Sequence, residues 1–101
     1  MRLLRLTWTD DALADLDRLE TFLWEKSARS AHDAIFTIID ATEILKRFPD
    51  AGRMAEDLDP EHRELLVPFS NSGYIVGYGV YGDEVEIFNV RHMREDDPPH
   101  P

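Results

Sequence analysis

Cysteine is absent from the 101 residues, which excludes a disulfide framework and any thiolate-bound metal. Histidines stand at 32, 62, 92 and 100 without HExxH-like spacing, so no metal site is expected. No glycine-rich phosphate loop opens a helix: the GYGVYG run at 77–82 lies within and just after a predicted strand. No cofactor is expected. Away from predicted helix starts the only serines are Ser70 and Ser72, in a turn, so no Ser-His-acid arrangement can be argued. No apolar run approaches the roughly 20 residues that span a bilayer. The opening MRLLRLTWTDDA meets a charge at residue 5 and two acids by residue 11, which does not fit a signal peptide. A soluble cytoplasmic chain without membrane contact is the expectation.

Lysine is also scarce. Nine of the eleven cations are arginine, against 21 acids, for a net charge of −10. The acid is spread along the chain: seven cations face ten acids over 1–52, four face eight over 53–94, and none face three over 95–101. Cation–phosphate attraction supplies most non-specific nucleic-acid affinity, so direct DNA or RNA binding by the chain alone is not expected. An acidic chain should instead favour a protein segment rich in Lys or Arg, in a complex that weakens as salt rises.

What is present suits one small domain. The hydrophobic content is 43%, and a chain of this length buries roughly 65% of its unfolded surface. Residues 2–8 alternate, with Leu4, Leu6 and Trp8 on one face, and predict a half-buried strand. Thr9 or Asp10 can cap a helix to about residue 26, whose Ala12, Leu16, Leu19 and Leu23 recur every three or four positions. Ser27 or Ser30 can cap a second helix, lined by Ala31, Ala34, Ile35, Ile38, Leu45 and Phe48 and stopped by Pro49. Residues 53–61 read as a loop. Three strands follow at 62–69, 74–81 and 84–91, joined by turns at 71–73 and 82–83. The expected fold is α+β, in the order β-α-α-β-β-β, with a helical hairpin on one face of a mostly antiparallel sheet. A single domain over 1–94 is expected to end in an acidic, proline-containing flexible tail, 95–101.

Several of these residues form a pattern. Ala12, Asp15-Leu16, Leu19 and Phe22 lie in the first helix, Pro49 and Gly52 follow the second, and Arg63-Glu64-Leu65 opens a strand. Tyr74-Ile75-Val76-Gly77-Tyr78, Val85-Glu86-Ile87, Val90, His92, Arg94 and Asp96 close it. Over about residues 3 to 96 the chain resembles the ParE/RelE family of type II toxin–antitoxin toxins, and more closely its ParE branch. The resemblance implies a toxin neutralised by a ParD-like antitoxin in a hetero-oligomer. It makes DNA gyrase the first target, inhibited by binding. The RelE branch instead cuts messenger RNA on the ribosome, and a third possibility is a non-toxic module that keeps the fold and the antitoxin interface.

A ribonuclease needs a base, an acid and cations around one phosphate. His92, Arg63, Arg91 and Arg94 are the right types. Two-residue turns at 82–83 and 71–72 would set Tyr74 opposite Arg91 and Arg63 opposite Val80. Arg63 would then lie seven residues from His92, roughly 23 Å along the sheet, too far for one site. The YIVGY strand also lacks the basic residue that RelE-like nucleases commonly carry there. No catalytic residue is assigned. Tyr74, Tyr78, Arg91, His92, Arg94 and Arg63 are instead candidates for contact with a target or antitoxin. Tyr74 and Tyr78 share one face, where at least one should be buried. Gly77 and Gly79 share the other, open to Trp8, Trp24 or a partner's backbone.

Overall fold

A computed structural model describes residues 2–55 and 59–95. Strand β1 (Arg5–Trp8) leads into α1 (Asp10–Trp24), and α2 (Ala28–Thr42) continues through a 3-10 turn at Glu43–Lys46. Then come β2 (Arg53–Met54), β3 (His62–Phe69), β4 (Ser72–Tyr81), β5 (Glu84–His92) and a last 3-10 turn, Met93–Glu95. The sheet order is β1-β5-β4-β3-β2, with β1 parallel to β5 and every other pair antiparallel. Two helices on a five-stranded mixed sheet make the expected α+β architecture. The expected tail lies outside the described residues from 96 onward.

The helix starts follow from local chemistry. The Thr9 hydroxyl accepts the N–H of Ala12 and the Ser27 hydroxyl that of Ser30, each relieving an orphan donor of the first turn. Ala12, Leu16 and Leu19 of α1 and Ala34 and Ile38 of α2 pack on Tyr74, Val76, Tyr78, Val85, Ile87 and Val90 of the sheet. Each large apolar side chain buried there contributes on the order of 1.5–3 kcal/mol.

Three expectations need correcting. Residues 53–54 are not loop: they form a two-residue edge strand paired with Arg63 and Glu64. The β3–β4 turn is Ser70-Asn71, one residue earlier than read, because Phe69 pairs with Ser72 and Ser70 takes a left-handed φ of 56°. The third concerns β5. The pairing runs as expected from Tyr81–Glu84 to Tyr78–Ile87, but Gly77 then pairs with Asn89, leaving Phe88 as an extra residue. Such a bulge inverts facing along the rest of a strand. Val85, Ile87 and Val90 therefore all reach the core, and Tyr74 lies opposite His92 rather than Arg91.

Candidate functional site

The bulge decides what the end of the sheet presents. Downstream of Phe88, Val90 and His92 turn toward the helices while Arg91 turns to the uncovered face. The cations clustered in the sequence at 91–94 are thereby divided between two surfaces.

On the helix side, the rings of Tyr74 and His92 meet edge to face, with centroids 5.3 Å apart at 84°. The Arg94 backbone N–H donates to His92 Nδ1 at 3.0 Å, which fixes the ring at the mouth of a cavity of about 440 Å³. The cavity lies between α1 and the sheet end, lined by Arg18, Leu19, Phe22, Leu23, Lys26, Tyr74, His92 and Arg94. Its floor is apolar and its edge cationic. Lys26 Nζ stands 4.8 Å from the Phe22 ring centroid, within cation–π range. Phe22 and the nearby Trp24 are 56% and 62% exposed.

The α1 side of this groove is braced by a contact that substitutes for sheet. Strand β1 ends at Trp8, opposite Ile87, so among the described residues Val90 has no strand neighbour on that side. Asp15 Oδ2 accepts its N–H at 2.9 Å and the Arg18 guanidinium donates to its carbonyl at 3.5 Å. Asp15 and Arg18 are themselves 3.7 Å apart. Two side chains one helical turn apart thus complete the hydrogen bonding that β1 leaves open.

On the uncovered face, Arg91 donates to Glu64 Oε2 at 3.0 Å, and Arg53 holds Glu64 Oε1 at 3.1–3.2 Å. The Glu64 side chain is only 14% exposed. His62 pairs with Asp59 at 3.2 Å and packs on Phe88, with ring centroids 4.8 Å apart. A smaller cavity of about 240 Å³ is lined by His62, Glu64, Asn89 and Arg91, among others. The space above Gly77 and Gly79 is already filled, but not by either tryptophan. A Cβ at Gly77 would meet the Asn89 side chain at 2.6 Å, and one at Gly79 would meet Tyr81 and Phe88.

Arg63 and Tyr78 serve the fold. The Tyr78 hydroxyl donates to the Pro49 carbonyl at 2.6 Å and accepts the Gly52 N–H at 2.9 Å. Arg63 donates to the Gly52 carbonyl at 2.9 Å and lies 3.7 Å from Asp50. Together they fasten the PDAG turn to the sheet. Burial pushes the Tyr78 pKa above its ordinary value of 10.0, against the lowering effect of the Gly52 hydrogen bond and the Arg63 charge. Arg63 pairs with Tyr78 and His92 with Tyr74, four residues apart along β4, or roughly 13 Å. They are nearer than expected but still do not share a site.

Of the six contact candidates, the groove brings together Tyr74, His92 and Arg94. Arg91 lies on the other face, while Arg63 and the fully buried Tyr78 belong to the turn clasp. Tyr74, 2% exposed, contributes only an edge. Arg18, Phe22 and Lys26 were missed. Their four-residue spacing beside the Leu16–Leu19–Leu23 stripe was the available signal.

Residues 6–97 match the family described as ParE toxin of the type II toxin–antitoxin system parDE. Toxin RelE3 of Caulobacter vibrioides is 36% identical over 84 residues, covering 83% of this chain and 88% of that protein. Toxin RelE1 of the same organism is 30% identical over 84 residues, covering 83% and 87%. A solved structure of the chromosomal ParDE system from P. aeruginosa superposes with a TM-score of 0.76 at 25% identity, over 89% of this chain and 96% of that one. HP0894 of Helicobacter pylori shares the fold, with a TM-score of 0.56 at 16% identity over 91% and 97%. The chain belongs to the ParE toxin family, within the ParE/RelE superfamily of type II toxin–antitoxin toxins. Among the described residues no helix is long and apolar enough to cross a membrane.

Proposed function

We propose that this toxin is held inactive by direct binding of a cognate ParD-like antitoxin and, when released, inhibits DNA gyrase in the cytoplasm by contact rather than by cleavage. The observation that carries the reading is the groove at the end of the sheet. It joins an apolar floor, the exposed Phe22 of α1 and a cationic edge, the composition of a protein-contact surface. The chain's charge of −10 supports contact with protein and argues against contact with nucleic acid by the chain alone.

A second reading, a ribosome-dependent mRNA endonuclease, draws on the uncovered face, where His62, Glu64 and Arg91 line one small cavity. Its weakness is that both arginines lining that cavity are engaged, Arg91 by the Glu64 carboxylate and Arg63 by the Gly52 carbonyl.

Inducing the chain in growing cells separates the readings. Gyrase inhibition predicts a DNA-damage response and broken plasmid with intact messages, reversed by co-expressing a cognate antitoxin. Truncated messages without DNA breaks would establish the nuclease instead. Unimpaired growth would leave a non-toxic binding module.

A further inference from the structure

We infer that the groove between α1 and the end of β4–β5 seats a helical partner segment that carries carboxylates on an apolar stripe. This rests on the reading just proposed, under which the segment is the antitoxin's. It gives the groove a preference opposite to that of the whole molecule. Acids outnumber cations 21 to 11 along the chain, so its long-range field favours a basic partner. Yet among the described residues none that lines the groove is Asp or Glu, while Arg18, Lys26 and Arg94 line it together with His92.

The arrangement also specifies the spacing. Arg18 and Phe22 lie four residues apart on α1 and Lys26 follows in the turn just past its end, with its Nζ over the Phe22 ring, so cation, aromatic and cation follow one another over roughly 12 Å. A second helix laid along this stripe meets it with two carboxylates seven or eight residues apart and an apolar side chain between them. Asp15, at 3.7 Å, is the acid beside Arg18, and the Arg18 side chain remains 49% exposed. A cavity of about 440 Å³ holds a few side chains, so the segment lies along the groove and inserts only its apolar residues. A suitable partner is therefore two-signed: basic where it meets the acidic body, and acidic with Leu or Phe where it crosses α1.

A display library of random residues on a helical peptide scaffold tests this without gyrase or antitoxin. Selection is run on the whole chain and on the Lys26→Glu/Arg94→Glu variant. That pair spares Arg18, whose contact with Val90 is structural, and an unchanged thermal midpoint confirms the variant's fold. Binders lost on the variant should carry two Asp or Glu seven or eight positions apart around an apolar residue. They should bind about tenfold more weakly after the double reversal and weaken with salt. Groove-dependent binders that are basic or uncharged, or none that depend on the groove, would overturn the inference. So would concentration-dependent self-association lost in the variant, or acidic binders gained only after deletion of 96–101, since a second copy or the chain's own end would then be the occupant. If acidic peptides are selected but induction leaves growth unimpaired, the toxin reading fails while the groove chemistry stands.

Discussion

Asp15 accepts the backbone N–H of Val90 at 2.9 Å, across 75 residues of sequence. It does so where β1 has ended, so one carboxylate joins α1 to the strand that carries His92. Replacing Asp15 by alanine leaves a part-buried N–H unpaired and should cost ~1–3 kcal/mol. Asparagine keeps an acceptor and should cost less than half as much. The midpoints of urea unfolding compare the two. Equal losses would contradict this role.

Gly52 is required by close approach rather than by backbone conformation. A Cβ there would lie 2.6 Å from the Glu64 carbonyl and 2.7 Å from the Tyr78 hydroxyl. Gly52→Ala should therefore destabilise by ~1–3 kcal/mol, more than Ala51→Gly next door, which is exposed. Thermal unfolding of both variants decides it.

Tyr78→Phe removes a hydroxyl that serves both Pro49 and Gly52 and should cost ~1–3 kcal/mol. It also predicts a pH dependence. The folded pKa is raised above the unfolded value of 10.0, so above that pH the unfolded state loses its proton first. The contribution is complete below pH 10.0 and is lost as pH rises through the folded pKa. Wild type should lose more stability than Tyr78→Phe as pH is raised above 10.0. Parallel curves would contradict the assignment.

Ser70 holds a left-handed φ of 56° in the β3–β4 turn, where a side chain is disfavoured. Ser70→Gly should stabilise by a few tenths to ~1 kcal/mol, read as a rise in the unfolding midpoint.

Contact and cleavage also differ in which residues matter. If His92 shapes a contact surface, His92→Gln and Tyr74→Phe should leave growth arrest within about threefold of wild type. Phe22→Glu should abolish it, because it places charge where a partner's apolar group would pack. Loss of arrest with His62→Gln, at a residue that lines the cavity on the uncovered face, from a variant of unchanged stability, would favour the nuclease.

Periodicity and capping placed both helices and the three long strands because those signals are local: Thr9, Ser27 and the stripe Ala12–Leu16–Leu19 announce themselves within a few turns. The bulge at Phe88 was not legible, since it arises from pairing between β4 and β5 and from what each face must bury. That one extra residue exchanged the partners of Tyr74 and set His92, rather than Arg91, on the helix face. The short strand β2 was hidden for a similar reason: Arg53 and Met54 have no period of their own and extend because β3 offers an edge. The groove was half legible. Its sheet side was visible in the run from Tyr74 to Arg94, while Phe22 entered only through the family pattern and nothing local but their spacing singles out Arg18 and Lys26, which the fold gathers with His92 around one groove.

The central claim is inhibition of gyrase by contact, and supercoiling of relaxed plasmid by purified gyrase tests it most directly. Titrating in the purified chain should reduce supercoiling and accumulate linear plasmid, with Phe22→Glu inactive and Tyr74→Phe close to wild type. Supercoiling that continues undiminished, at concentrations where the folded chain binds its antitoxin, would contradict the account.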